Sequence, residues 1–331
     1  MSVNRPLVIG HRGAPGYLPE HSRASYDLAL ASGVDAVEPD VVFTADRIAV
    51  VRHENEIGST TDVADHPEFA SRRTTKVVDG APLTGWFTED FTWDELATLR
   101  CRERLPHLRP GSAAGDRGQP ILRLRELLDL VAAAPAGAGV VLEVKHATYF
   151  GSIGYDVAGL LADELRSAGW DVGARPLVIE SFEQRILQEL RGRGLRARYV
   201  YLLEAEGSAW DLRAADGDDA VTYADQLTPE GLDRLAGEVD GISLDKRIVL
   251  EHPSVVADAH RRGLEVYVWT CRPENAFLDP LFRGPGDDAT FGDWEGEWRR
   301  IAETGVDGVF VDHPDLGVAF FARPGRSGDA R

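Results

Sequence analysis

The sequence predicts an α/β fold, namely a TIM-type (β/α)8 barrel, because short apolar strand patterns alternate with helical patterns along its 331 residues. Such alternation is typical of a largely parallel sheet with helices packed outside it. A single α/β barrel commonly has this length, which buries enough core to need no disulfide or metal staple. We therefore expect one barrel domain over residues 1–321, followed by a disordered tail over 322–331.

Nine segments have strand patterns, one more than the eight strands of such a barrel. They are 7–10, 36–43, 48–52, 139–144, 177–180, 198–203, 241–244, 266–270 and 308–312. Helical periodicity covers 21–31, 93–100, 124–133, 154–168, 183–193, 229–236 and 253–262. The turn at 44–47 is too short for a helix, so the second and third strand candidates form a hairpin-like unit at the barrel rim, or one candidate lies outside the barrel. Either arrangement returns His53 to the side of Glu38 and Asp40.

Two long segments interrupt the alternation. The insertion over 55–118 follows the third strand candidate and has many charges and few strand signals, whereas the later loop over 272–300 is rich in Gly, Pro and Asp. Long loops inside a compact domain usually form a lid or a binding cap. We expect both segments to form a lid or a binding cap.

Composition argues against several classes of partner. The formal net charge is −19, with 36 basic against 55 acidic residues, which argues against a nucleic-acid or anionic-membrane surface. No apolar stretch approaches a membrane span, and no signal-peptide pattern precedes the first strand. Cys101 and Cys271 fit reduced, packed thiols. We expect a cytoplasmic protein without stable membrane association, or an exported one if a leader has been removed; the oligomeric state is open.

Carboxylates gather at the strand ends. Glu38 and Asp40 are two residues apart on one strand, so both side chains project to the same face. Glu143 ends another strand, and three such carboxylates repel one another unless a cation neutralises them. Because carboxylate oxygens are hard ligands, the pattern predicts one divalent cation, Ca²⁺ or Mg²⁺.

Two imidazoles and two cations accompany this cluster. His11 and Arg12 directly follow the first strand, and His53 follows the third. Two histidines flanking carboxylates favour acid–base catalysis. Arg12 can bind a phosphate bidentately, and Lys145 supplies a point charge; both also suit salt bridges to the carboxylates. The set meets the requirements of phosphodiester cleavage on a divalent metal.

The motifs occur in a characteristic order. They are His11-Arg12-Gly13, Pro19-Glu20, Glu38-x-Asp40, His53, Glu143-x-Lys145, Ser181-Phe182, Val268-Trp269-Thr270 and Gly305-Val306-Asp307-Gly308. This ordered set resembles the glycerophosphodiester phosphodiesterase family, TIM barrels related to the phosphoinositide-specific phospholipases C, over residues 8–314. Residues 86–92 are similar to the branch that includes periplasmic and secreted members.

The resemblance implies hydrolysis of glycerophosphodiesters, for example glycerophosphocholine, to sn-glycerol 3-phosphate and an alcohol through a cyclic 1,2-phosphate. It implies that His11 and His53 bracket the scissile phosphorus as acid and base, in an order that the sequence leaves open. The other implied roles are metal ligation by Glu38, Asp40 and Glu143, phosphate binding by Arg12 and Lys145, a substrate wall of Trp269 and Phe182, and support by Glu20. Plain barrel packing is the alternative for the two aromatic residues.

The chain departs from the family pattern at two motifs. The usual Pro-Glu-Asn-Thr reads Pro19-Glu20-His21-Ser22, so the role of the Asn is lost or replaced, although Ser22 can still cap the next helix. The usual His-Asp reads His53-Glu54. We predict no catalytic role for the remaining histidines, which lack comparable neighbours: His21, His66, His107, His146, His252, His260 and His313.

Other functions compete with this interpretation. The same site could act on lysophospholipid or glycerophosphoinositol headgroups, and the 272–300 loop leaves the preferred alcohol open. A sphingomyelinase D-like lyase fits the insertion poorly. A metal-dependent sugar isomerase leaves Arg12 unexplained. Outside enzymes, a phosphoester- or metal-binding module is the alternative.

Overall fold

The structure, a computed structural model, describes residues 5–115, 118–134 and 137–321. The predicted tail over 322–331 lies outside these residues. The strands are β1 (Leu7–His11), β2 (Ala36–Glu38), β3 (Asp40–Phe43), β4 (Ala49–Val51), β5 (Thr74–Val78), β6 (Ala81–Gly85), β7 (Gly139–Val144), β8 (Leu177–Ser181), β9 (Arg198–Leu203), β10 (Gly241–Asp245), β11 (Glu265–Cys271) and β12 (Gly308–Val311).

The helices are α1 (Arg23–Ala31), α2 (Trp93–Leu96), α3 (Pro110–Ala114), α4 (Leu124–Ala133), α5 (Ala147–Ser152), α6 (Val157–Ser167), α7 (Gln184–Gly192), α8 (Trp210–Asp216), α9 (Tyr223–Gln226), α10 (Pro229–Leu235), α11 (Lys246–Glu251), α12 (Ser254–His260), α13 (Trp294–Glu303) and α14 (Pro314–Phe321). Short 3₁₀ helices cover Val63–Asp65, Pro67–Arg72, Thr88–Asp90, Gly217–Asp219 and Pro280–Phe282. No helix among the described residues is both long enough and apolar enough to cross a membrane.

Eight parallel strands close into the predicted barrel. Their order around it is β1, β2, β7, β8, β9, β10, β11 and β12, and β12 pairs again with β1. Helices connect successive barrel strands on the outside, which confirms the (β/α)8 fold class.

The third strand candidate, 48–52, lies outside the closed barrel as β4. Pro39 separates β2 from β3, because proline has no backbone N–H to donate to a ladder. The strand β3 still pairs in parallel with β7, but its other edge pairs antiparallel with β4, with Val41 opposite Val51. The predicted hairpin-like unit at the rim is therefore confirmed, and it carries His53 back toward the second strand.

Both inserted segments contain more regular structure than the sequence indicated. In the first, β5 and β6 form an antiparallel hairpin whose turn, Asp79-Gly80, has φ values of +48° and +79°. An Asp-Gly pair with positive φ is the usual signal for such a two-residue turn. In the second, α13 begins at Trp294 within the predicted loop, because Trp294, Trp298 and Ile301 recur at helical spacing and pack on the core.

The interior of the barrel is filled by a layer of apolar side chains from alternating positions on the strands. These are Ile9, Ala36, Val141, Val200, Tyr267 and Phe310. Side chains two residues further along the same strands point to the same face, nearer the carboxyl ends. This second layer consists largely of charged and aromatic residues, and it forms the floor of the candidate site.

Candidate active site

A cavity of about 850 Å³ opens at the carboxyl ends of the barrel strands. Eight of the ten predicted site residues line it: His11, Arg12, Glu38, His53, Glu143, Lys145, Phe182 and Trp269. Asp40 and Glu20 are buried and contact these residues from outside the cavity wall. The structure thus brings together residues that lie up to 258 positions apart in the chain (269 − 11).

The three predicted metal ligands form one buried cluster. Glu38, Asp40 and Glu143 each offer an oxygen, and these atoms lie within 4.8 Å of one another. Asp40 is opposite Glu143 in the β3–β7 register. Glu38 Oε1 and Asp40 Oδ1 are buried and have no hydrogen-bond partner among the described residues. Orphaned carboxylate oxygens in this arrangement fit a divalent cation.

The protonation of this cluster also indicates a missing positive charge. Burial, Asp40 and Glu143 raise the pKa of Glu38 well above its usual value, and burial raises the pKa of Glu143 to about 8. Burial opposes ionisation of Asp40 as well, but His53 and Lys145 hold its pKa well below the usual value. The cluster therefore keeps protons at neutral pH unless a cation replaces them.

His11 is held by a carboxylate that the sequence did not predict. Its Nδ1 lies 2.7 Å from Asp312 Oδ1, and the other oxygen of Asp312 accepts from Arg109 and Arg272 at 2.6 and 2.7 Å. Although burial opposes it, Arg272 and Arg109 keep the pKa of Asp312 well below its usual value, so the ionised carboxylate accepts a hydrogen bond from Nδ1–H of His11. Burial and Arg12 lower the pKa of His11 to about 4. His11 is therefore a neutral imidazole at pH 7, with Nε2 as its available base.

His53 has the same arrangement built from other residues. Its Nδ1 lies 2.5 Å from Glu54 Oε1, and Arg104 holds both oxygens of Glu54 at 2.9 and 2.6 Å. Burial, Arg12 and Lys145 lower the pKa of His53 to about 3. The extra methylene of Glu54, compared with the family's Asp, thus still reaches the neighbouring ring. Arg104 has no signal in the sequence, because it comes from the 55–118 insertion.

Arg12 and Lys145 are bound to the carboxylates and also face the cavity. The backbone N–H of Arg12 donates to Glu38 at 2.8 Å, and its guanidinium lies 3.4 Å from Asp40. Lys145 Nζ donates to Glu143 at 2.7 Å and lies 3.4 Å from His53 Nε2. Both cations are therefore next to an imidazole and to the carboxylate cluster.

Glu20 supports this arrangement from behind. It accepts from Arg12 at 3.1 Å and from Arg104 at 2.8 and 2.6 Å. One buried carboxylate thus links the guanidinium beside His11 to the guanidinium that holds Glu54. These contacts agree with the supporting role that the resemblance implied, and that role stays a prediction.

The expectation that His21 lacks carboxylate neighbours is wrong, whereas its lack of a catalytic role stays a prediction. His21 is completely buried, and its two ring nitrogens lie 2.9 Å from Asp40 and 2.7 Å from the hydroxyl of Tyr26. The positive φ of His21, +58°, belongs to the left-handed conformation that Asn adopts readily. The imidazole at the position of the family's Asn therefore contacts Asp40 and does not face the cavity.

His146 also has a neighbour that the sequence did not indicate. Its Nδ1 lies 2.5 Å from Asp79, at the turn of the β5–β6 hairpin, and both residues line the cavity. The ring of Trp210 packs directly over Gly80 in the same turn. The insertion thus reaches across the mouth of the cavity, and residues 276–280 of the later loop line the cavity as well.

The aromatic residues form one side of the cavity. The rings of Phe182 and Trp269 meet edge to face with centroids 5.7 Å apart, and the Lys145 ammonium lies 5.4 Å from the centre of the Phe182 ring. Trp269 also donates from Nε1 to the Ser243 carbonyl at 3.3 Å. These contacts give a rigid apolar wall beside the charged cluster.

Comparisons with known proteins agree with this geometry. Residues 11–316 match the model of the glycerophosphoryl diester phosphodiesterase family. A glycerophosphodiester phosphodiesterase from Arabidopsis thaliana is 29% identical over 94% of this chain and 85% of its own length, and one from Treponema pallidum is 26% identical over 97% and 93%.

Comparison with solved structures also finds phosphodiesterases that share this fold. A protein of Silicibacter pomeroyi DSS-3 ascribed to the glycerophosphoryl diester phosphodiesterases is 25% identical, with a TM-score of 0.67 over 96% of this chain and 93% of the other. A phosphodiesterase of Oleispira antarctica, solved with the product sn-glycerol-3-phosphate, shares the fold at 21% identity, with a TM-score of 0.65 over 96% and 98%. The chain therefore belongs to the glycerophosphoryl diester phosphodiesterase family of enzymes.

Proposed function

We propose that this enzyme hydrolyses glycerophosphodiesters, such as glycerophosphocholine, to sn-glycerol 3-phosphate and an alcohol. The observation that carries the proposal is the pair of neutral imidazoles, His11 and His53, each held at Nδ1 by a carboxylate beside one acidic cluster. Two neutral imidazoles on one cavity, each oriented by a carboxylate at Nδ1, suit a reaction that both removes and returns a proton. The bound product in the Oleispira antarctica relative supports the same product here.

We also propose one divalent cation, Ca²⁺ or Mg²⁺, held by Glu38, Asp40 and Glu143. Bound there, it would supply positive charge that lowers the pKa of an adjacent hydroxyl and offsets charge on a phosphate. The support is the all-oxygen donor set and its orphaned atoms.

The protein groups would act in two steps. In the first, one histidine removes the proton of the glycerol 2-hydroxyl, and that oxygen attacks phosphorus to form a cyclic phosphate. The bond from phosphorus to the alcohol oxygen breaks, and the second histidine protonates the departing alcohol. In the second step water opens the ring, with the two histidines exchanging roles. Arg12 and Lys145 stabilise the charge that grows on the phosphoryl oxygens.

The test is release of sn-glycerol 3-phosphate from glycerophosphocholine, coupled to a dehydrogenase, after EDTA treatment and then with Ca²⁺ or Mg²⁺ restored. We expect release that returns with the metal. If neither metal restores release, a panel of lysophospholipid and glycerophosphoinositol substrates decides whether the site acts on another headgroup. If no substrate of the panel is hydrolysed, a phosphoester-binding module would be favoured instead.

A cytoplasmic location, and the exclusion of nucleic-acid and membrane partners, stay predictions from composition.

A further inference from the structure

Glu180 is a buried carboxyl on the cavity that no step of this reaction uses. It lies near the end of β8, opposite Glu143 of β7 in the parallel register. Its side chain lines the cavity but is only 2% exposed. Its Oε2 has no hydrogen-bond partner among the described residues.

Among the described residues, each of the other carboxyls of the same layer has at least one hydrogen-bond partner. Glu38 accepts from the Arg12 backbone, Glu143 from Lys145, and Asp312 from two guanidinium groups and an imidazole. A buried carboxyl without a partner costs free energy, and an apolar side chain at the same position would not. Its position therefore indicates a ligand group that completes its hydrogen bonding.

The surroundings of Glu180 restrict what that group can be. The oxygens that cluster within 4.8 Å belong to Glu38, Asp40 and Glu143, so Glu180 is not in the candidate cation site. Val178, two residues earlier on the same face, packs against the apolar layer that closes the barrel below. Phe182, two residues later, belongs to the aromatic wall above. The position of Glu180 between these two apolar surfaces suits a small hydroxyl-bearing group.

We propose that Glu180 binds the primary hydroxyl of the substrate's glycerol moiety and so selects glycerol diesters over diesters of a simpler diol. The inference rests on the proposed function and identifies the part of the substrate that enters the barrel. Glycerol is the part that all glycerophosphodiesters share, whereas the alcohol varies and needs the open mouth lined by Phe277 and Arg283. A carboxyl oxygen accepts a hydrogen bond from a hydroxyl in either protonation state.

The experiment compares two substrates that differ only in that hydroxymethyl group. Glycerophosphocholine has it, whereas 2-hydroxyethyl phosphocholine lacks it but keeps the hydroxyl that attacks phosphorus. Choline release is measured for both with choline oxidase. The readout is the kcat/KM for glycerophosphocholine divided by the kcat/KM for 2-hydroxyethyl phosphocholine. This ratio does not depend on the fraction of active enzyme, so partial misfolding of a variant cannot imitate the effect.

The variants are Glu180→Leu, which keeps similar volume, and Glu180→Gln, which keeps an acceptor oxygen. In Glu180→Leu we expect the ratio to fall roughly tenfold or more, the usual consequence of losing one hydrogen bond in a site built for it. In Glu180→Gln the ratio should stay much closer to that of the wild type.

Three outcomes would overturn the inference. One is an unchanged ratio in Glu180→Leu, including an equal loss on both substrates. Another is a wild-type enzyme that does not distinguish the two diesters. The third is a weakened Ca²⁺ or Mg²⁺ affinity of Glu180→Leu in calorimetry, which would make Glu180 a metal ligand. Failure of the wild type to release sn-glycerol 3-phosphate would overturn the proposed function instead.

Discussion

Replacing Asp312 with Asn tests whether this carboxylate makes His11 a base. Asp312 accepts one hydrogen bond from His11 Nδ1 and one each from Arg109 and Arg272, at 2.6 to 2.7 Å. The amide of Asn has a single acceptor oxygen, and its NH₂ cannot accept. If the oxygen stays with the two guanidinium groups, the NH₂ faces His11 and forces Nδ1 to accept. The proton then moves to Nε2, and the ring can no longer remove a proton from substrate.

The Asp312→Asn substitution should lower both kcat and the free energy of unfolding. Because the tautomer is wrong for a base, kcat should fall roughly 10²- to 10⁴-fold. The free energy of unfolding should fall by about 3 kcal/mol, the lower end for removing one partner of a buried ion pair, since Arg272 keeps partial contact with solvent. Activity is measured as sn-glycerol 3-phosphate release, and stability by denaturant unfolding.

The chain offers a matched control for this variant. Asp307, at the start of the same strand region, holds His260 at 2.8 Å on the exposed surface. Asp307→Asn should therefore leave kcat close to that of the wild type. The double variant His11→Ala/Asp312→Asn should be no slower than His11→Ala alone, because both changes remove one function. A folded Asp312→Asn enzyme with kcat within a few-fold of wild type, or losses that multiply in the double variant, would refute the reasoning.

Three further predictions concern the same site. His53→Ala should lower kcat roughly a hundredfold or more in the sn-glycerol 3-phosphate assay, and unchanged turnover would exclude His53 from proton transfer. Adding Ca²⁺ or Mg²⁺ to EDTA-treated enzyme at a hundredfold its Kd should raise the free energy of unfolding by about 2.7 kcal/mol in thermal melts, and Glu143→Gln should lose most of this gain. Since the pKa of His11 drops from 6.5 to about 4 on folding, the unfolded chain binds more protons between these values. Stability should therefore fall as the pH is lowered from 6.5 to 4, with a shallower slope in His11→Asn; equal slopes in denaturant titrations would contradict this.

The sequence alone was enough to predict the barrel and most of the reactive cluster. Alternating strand and helix patterns are local properties, and in a parallel barrel the carboxyl ends of all strands meet at one face. His11, Glu38 and Glu143 each follow or end an apolar run, so their convergence could be inferred without distances. The replacement of an Asn by His21 was visible too, but not its contact with Asp40.

The partners that orient these groups were decided by the tertiary structure. Asp312 lies 301 positions from His11, and Arg104 comes from an insertion whose path no periodic pattern describes. Such contacts depend on how the barrel closes and where an irregular segment packs, which neither propensity nor spacing encodes. Burial acts in the same way: Glu180 is an ordinary glutamate in the sequence and becomes an unpartnered carboxyl only because closure of the barrel removes it from water. Local patterns therefore determined which chemical groups reach the strand ends, and closure of the fold determined their hydrogen bonding and pKa values.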